Sequence, residues 1–386
     1  MDRPAARCET GPSVMPRPHR ITVVFGTRPE AIKLAPVIHR LREAAWAAVR
    51  VLSTAQHRTL TDRMVAWFGI APDHDLDLMR AGQTVPDLLA RTIAAVHDHL
   101  RAERPACVVA QGDTTTVLAT ALASHYLRIP FAHVEAGLRT GDVREPYPEE
   151  LNRFHTARLA RLHFAPTERA RANLRDEGVP DARIFVTGNT AVDALQWTLA
   201  RTSAQPWPVP EGRRLLLVTA HRRESFGAPL RQLCSALRRL AARGDVAILF
   251  PVHPNPNVQD LVHAELGDQP AIALLEPLDY PDMVRAMRAC TLVLTDSGGI
   301  QEEAPTLGKP VLVLRPATER PEAVEAGVAR IVGRDPEHLV AAANELLDDP
   351  VAYAAMARPA APFGDGYAAE RITAHLERFV HGHAAD

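Results

Sequence analysis

ITVVFGTRPEAIKLAPVI, residues 21–38, decides the fold class. A β-branched apolar run ends at a glycine, and a helix begins two residues later. Thr27 and Glu30 stand at the spacing of a capping box, and Pro29 suits the first helical turn. A buried strand feeding directly into an amphipathic helix is the unit from which parallel sheets are wound.

The same unit recurs along the chain. VRVLSTA (49–55), CVVAQGD (107–113), FAHVEAG (131–137), LHFAPT (162–167) and RIFVTGN (183–189) read as five further strands, each followed by a turn or a helix start. TSAQPWPVPEG (202–212) carries three prolines and little periodicity, so it reads as a linker. The rhythm then resumes with RLLLVTA (214–220), VAILFPV (246–252), IALLEP (272–277), TLVLTD (291–296), PVLVLR (310–315) and ARIVG (329–333). The expected architecture is α/β, with two doubly wound domains facing a cleft, spanning 21–190 and 191–365. Residues 1–20 lack an apolar core and read as a disordered extension. YAAERITAHLERFV (367–380) has helical apolar spacing, and 366–386 is expected to be a C-terminal helix packing back on the first domain.

Composition bounds the function. The 386 residues carry a net charge of −2, which offers no electrostatic ground for nucleic acid or an anionic membrane. No apolar run approaches the ~20 residues that span a bilayer. Four scattered cysteines form no C-x-x-C pair, and a reduced cytoplasm is the simplest setting. There is neither an H-E-x-x-H nor a cysteine cluster, so no metal is expected. Lysine occurs only at 33 and 309 among 44 basic residues, which makes each one worth attention.

Chemistry-bearing residues gather where strands end. TDSGGIQEEA (295–304) opens a helix with two glycines that let a ligand approach the backbone. Ser297 can cap that helix or bond a phosphate oxygen. Glu302 and Glu303 can accept from a ribose or simply complement the helix dipole. The turn is neither a Walker loop nor the G-x-G-x-x-G fingerprint. Arg28 is a cation at a helix start, where the dipole disfavours it, so an anionic ligand is indicated. Lys33 lies one to two turns on, and either joins Arg28 or sits on a solvated face. Asp113 reads as an N-cap or a functional carboxylate, and Glu135 as an ion-pair partner or an acid/base. His221, beside Arg222 and Arg223, is a candidate proton donor to phosphate.

Taken together, FGTRPEAIKLAPVI, TAQHR, QGDTTT, HVEAGLRTGD with PYPEELNR, VTGNTAVDAL, TAHRRESFG, PVHPNPNV, and LTDSGGIQEEAPTLGKPVLVLR with TERPEAV resemble the non-hydrolysing UDP-N-acetylglucosamine 2-epimerases. The matches run in order from about residue 21 to 365. The resemblance implies two Rossmann-like domains of GT-B type, no cofactor or metal, a cytoplasmic homodimer and a UDP-sugar substrate. It implies that Asp113, Glu135 and Glu149 are the acid/base carboxylates and that His221 assists departure of UDP. Arg28, Lys33, Ser297 and Gly298 would hold the diphosphate, and Gly299 would shape its turn. Glu303 would bind ribose, and Arg320 would lie on the nucleotide side. Gln56 and His253 match positions of a second, activating UDP-sugar site, from whose pattern Thr59 and AGQ (81–83) depart. In the acidic stretch itself, Asp142 and Glu145 are expected to pair with Arg139 or Arg144, and Glu150 to face solvent or cap a helix. A hydrolysing epimerase, a GT-B glycosyltransferase and a silent nucleotide-sugar sensor are the rival readings. Whether C2 bears an acetamido or a hydroxyl group is not legible.

Overall fold

The computed structural model describes residues 18–55, 59–80, 82–220 and 227–383. Most of the expected 1–20 extension lies outside the described residues, but His19 and Arg20 already belong to the first strand.

The first sheet is formed by β1 (His19–Phe25), β2 (Ala47–Ser53), β3 (His74–Asp75), β4 (Cys107–Gln111), β5 (Phe131–Val134), β6 (Leu162–Ala165) and β7 (Ile184–Val186). The second holds β8 (Arg214–Thr219), β9 (Val246–Pro251), β10 (Ile272–Leu275), β11 (Leu292–Thr295), β12 (Val311–Val313) and β13 (Ala329–Ile331). Their orders are β3-β2-β1-β4-β5-β6-β7 and β10-β9-β8-β11-β12-β13, with every described pairing parallel. Each order reverses beside its first strand, which opens a crevice at the carboxyl ends of β1 and β4, and again of β8 and β11. The fold is two Rossmann-like units of GT-B type.

Helices cover both faces, so interior strands such as Cys107–Gln111 are buried along their whole length and read as continuous apolar runs. The helices of the first half are α1 (Arg28–Glu43), α2 (Thr59–Phe68), α3 (Val85–Glu103), α4 (Thr115–Tyr126), α5 (Glu149–Leu159), α6 (Glu168–Asp176) and α7 (Thr190–Leu199). Those of the second are α8 (Ala228–Ala241), α9 (Pro256–Leu266), α10 (Tyr280–Ala289), α11 (Gly298–Glu303) and α12 (Pro321–Glu325), followed by α13 (Pro336–Asp348), α14 (Pro350–Met356) and α15 (Ala368–His383).

One apolar cluster joins the halves. It runs from Ile38 of α1 and Val192 and Leu195 of α7 to Tyr280, Val284 and Met287 of α10 and on to Val293. Ile372, Leu376 and Val380 of α15 belong to the same cluster, and α15 packs on α1 and α7. The two crevices are therefore held facing each other by shared core as well as by polar contacts. No helix among the described residues is long and apolar enough to cross a membrane.

Candidate active site

The expected site residues within the described part lie in the segments that follow the carboxyl ends of strands, Glu149 and Glu303 further along than the rest. Arg28 and Lys33 follow β1, Asp113 follows β4, and Glu135 follows β5 directly. His253 follows β9, the Ser297–Gly299 turn follows β11, and Arg320 follows β12. His221 and Gln56 lie outside the described residues.

Glu135 is the centre. It adopts a left-handed backbone conformation, φ +62°, which a non-glycine residue holds only when its surroundings fix it. Its Oε1 accepts from Lys33 Nζ at 2.6 Å and from Asn189 Nδ2 at 2.9 Å, and Gln111 Nε2 donates to Oε2. A guanidinium nitrogen of Arg320, from the second half, stands 3.9 Å from Oε1. Burial alone pushes the Glu135 carboxyl up. Lys33 and Arg320 overcome that and hold it well below the usual carboxylate range. Glu135 is thus an anion in the folded chain.

The cations are equally constrained. Lys33 bridges the halves, with Glu302 Oε2 3.3 Å from Nζ. Burial depresses its pKa, but Glu135 and Glu302 prevail and raise it to about 12. The solvated-face reading of Lys33 does not hold. Arg320 Nε donates to Glu302, whose side chain is fully buried. Glu302 is therefore a bridge between two cations, in place of either a ribose acceptor or a mere dipole partner.

Asp113 forms a second cluster. The N-cap of α4 is Thr114, whose Oγ1 accepts from Val117 N, which leaves the Asp113 carboxylate free of that duty. Arg153 donates to Asp113 Oδ2 from Nε at 2.9 Å and from a terminal nitrogen at 2.6 Å. Arg153 also donates to Glu150 at 2.8 Å and stands 3.8 Å from Glu319 of the second half. The expectation that Glu150 faces solvent or caps a helix is overturned. It is buried, and it accepts from the backbone N–H of Thr140 and Gly141 at 2.9 and 3.1 Å, tying the acidic loop to α5. Asp142 pairs with Arg144 at 3.1 Å as expected. Arg139 pairs instead with Glu177 at 2.6 Å, at the end of α6. Glu149 opens α5 at the mouth of this cluster, half-buried.

On the second half, Ser297 is the N-cap of α11 without a side-chain cap bond, and its N–H donates to Thr295 Oγ1 at 2.9 Å. A Cβ at Gly298 would stand 3.5 Å from the Arg320 guanidinium, whereas one at Gly299 would meet open space. Glu303 accepts from Tyr280 Oη at 3.0 Å. Burial raises its pKa to about 8. Arg28, at the first position of α1, is partly stripped of water. Burial lowers its pKa, and the carboxylate of Asp279 partly offsets this. His253 Nδ1 accepts from Asn255 N at 3.2 Å. Glu30 is structural, as its spacing suggested, accepting from the N–H groups of Gly26 and Thr27 at 3.0 and 2.7 Å.

The arrangement offers an ionised carboxylate beside two cations, and a second carboxylate, Asp113, after the neighbouring strand β4. That combination can move a proton at one atom while stabilising negative charge on a departing group. Gln111, Asn189, Arg153 and Glu319 belong to it without having been singled out from sequence. The only signal for them was their place in QGD, VTGN, ELNR and TERP, within the motifs that carry the resemblance.

A family model described as UDP-N-acetylglucosamine 2-epimerase matches residues 39–377. The chain belongs to the UDP-N-acetylglucosamine 2-epimerase family. The UDP-N-acetylglucosamine 2-epimerase of Salmonella typhimurium is 47% identical over 371 residues, 93% of this chain and 99% of that protein. That of Escherichia coli K12 is 47% identical over 369 residues, 93% of this chain and 98% of its own length. The crystal structure of the Neisseria meningitidis UDP-GlcNAc 2-epimerase bound to UDP-GlcNAc superposes with a TM-score of 0.89 at 40% identity, covering 93% of this chain and all of the other.

Proposed function

We propose that this chain interconverts UDP-N-acetylglucosamine and UDP-N-acetylmannosamine without net hydrolysis, by eliminating UDP and adding it back. The observation that carries the reading is the anionic Glu135 held between Lys33 and Arg320 where the two halves meet.

The C2–H of a UDP-sugar has no adjacent carbonyl, so its direct abstraction is out of reach. When the C1–O bond breaks, the electron pair leaves with UDP and positive charge builds at C1, which acidifies C2–H. A carboxylate removes that proton, the C2–H pair closes the C1=C2 bond, and a glycal results. A proton delivered to C2 from the other face, with UDP returning to C1, completes inversion. Glu135 suits one face because it is ionised. Asp113, oriented by Arg153, and Glu149 suit the other. Arg28, Lys33, Ser297 and Gly298 are assigned to the diphosphate, with Gly299 shaping the turn beside it, Arg320 on the nucleotide side and Glu303 on the ribose. His221 is assigned to UDP departure by resemblance alone, as Gln56 and His253 are to a second UDP-sugar site. Expelling water from the crevice would protect the glycal from capture.

We further propose a cytoplasmic homodimer, and domains bounded at 21–190 and 191–365 with the last helix returning to the first. Sedimentation analysis tests the dimer. Positional isotope exchange tests the chemistry. With ¹⁸O in the sugar–phosphate bridge, recovered substrate should show the label scrambled into the non-bridging β-phosphate positions. Epimerisation with the label still wholly bridging would contradict departure of UDP with free rotation of its terminal phosphate.

A further inference from the structure

Resting on the assignment of Glu135 as a proton-transfer group, we propose that Asn189 is its positioning residue: it saturates Oε1 so that Oε2 is the oxygen that exchanges the C2 proton.

A carboxylate oxygen has two in-plane lone pairs. On Glu135 Oε1 they meet Lys33 Nζ at 2.6 Å and Asn189 Nδ2 at 2.9 Å. Among the described residues, Oε2 has the single donor Gln111 and keeps acceptor capacity to spare. The amide of Asn189 has no freedom to turn round. Its Oδ1 caps α7 by accepting from Ala191 N at 3.0 Å, which forces Nδ2 toward Glu135. Its backbone is fixed as well, because Asn189 N donates to Phe363 O at 2.6 Å in the segment returning to α15. One buried residue thus caps a helix, is pinned by the returning chain, and aims an N–H at the central carboxylate. A helix cap needs only the first of these.

Two variants separate capping from positioning. Asn189→Ser keeps an N-cap oxygen but cannot reach Glu135. Asn189→Asp keeps both cap and shape while setting a second carboxylate against Oε1. For Asn189→Ser, kcat should fall about 10- to 100-fold, as expected for losing a hydrogen bond to a charged group, while KM for UDP-N-acetylglucosamine stays within about twofold. For Asn189→Asp, the two carboxylates should share a proton. Its kcat should then be low near neutral pH and climb as the pH is raised, where the wild-type profile is flat. Unchanged kcat in Asn189→Ser, with an Asn189→Asp profile superimposable on wild type, overturns the positioning role. Glu135→Gln serves as the reference. If it is inactive while both Asn189 variants behave as wild type, only the positioning claim falls. If Glu135→Gln turns over normally, the base assignment falls and this inference with it.

Discussion

Replacing Glu135 by glutamine removes one charge from the centre of the site and sets an N–H group against donors from which the carboxylate had accepted. At an effective dielectric of about 20, a unit charge 2.6 Å away (Lys33) is worth about 6 kcal/mol, and one 3.9 Å away (Arg320) about 4 kcal/mol. Those gross figures are largely cancelled by desolvation, and breaking a buried pair costs about 3–5 kcal/mol net. Lys33 and Arg320 both retain Glu302, so the lower end of that range applies to stability. The chain should therefore remain folded. The catalytic effect should be larger than the structural one: losing a positioned acid/base group lowers the rate about 100- to 10,000-fold. Binding should move the other way, because freeing two cations from a competing anion leaves UDP bound as tightly as before or more so. The assay is chromatographic separation of the two epimers over time, with UDP binding measured by calorimetry on the same preparation. Turnover within tenfold of wild type would refute the base assignment. Parallel loss of UDP binding and turnover would make Glu135 a scaffold for the cations instead.

Other perturbations test the surroundings. Glu303 has a folded-state pKa of about 8 against an ordinary 4.5, so the folded chain binds a proton that the unfolded chain has released. Its contribution to stability is intact below about 4.5 and lost as the pH rises through about 8. That interval, at about 1.4 kcal/mol per pH unit, bounds the loss at roughly 5 kcal/mol. Glu303→Gln should accordingly be more stable than wild type at high pH and nearly equal at low pH, measured by urea midpoints; a gap independent of pH would contradict this. Gly137, two residues after Glu135, has φ +91°, and a Cβ there would lie 2.2 Å from the carbonyl oxygen of Ala170. Gly137→Ala should cost about 3 kcal/mol or more, whereas Gly212→Ala, at φ +76° in open space, should cost only the conformational strain of about 1–2 kcal/mol. Equal denaturation midpoints for the two would defeat that account.

Much of this molecule is readable from local pattern, and the exceptions are instructive. Twelve strands were legible because each belongs to a short apolar run bounded by turn residues or a helix start. The thirteenth, His74–Asp75, is two exposed residues paired at a sheet edge, with no apolar signature to see. The expected strands overran their carboxyl ends, since QGD, EAG and VTGN continue the apolar runs into the residues that carry chemistry. Asp113 was ambiguous because aspartate and threonine compete for an N-cap, and only the structure shows Thr114 taking it. Glu150 looked like a surface residue because its partners are Arg153, a turn away, and two loop N–H groups that come into line only when the acidic loop folds over α5. Lys33–Glu302 and Glu135–Arg320 join the two halves, and no local spacing encodes such a meeting. Asn189 was hidden for the same reason: its cap is local, but its second bond depends on strand order.

The central claim is that C2–H is cleaved and remade while UDP is conserved. Proton NMR of the purified protein with UDP-N-acetylglucosamine in deuterated water, with nothing else added, reads both at once. The account predicts signals of the manno epimer, deuterium entering C2 of both epimers, and little free UDP. Free N-acetylmannosamine accumulating in step with UDP, or epimerisation with C2 still fully protonated, would contradict it.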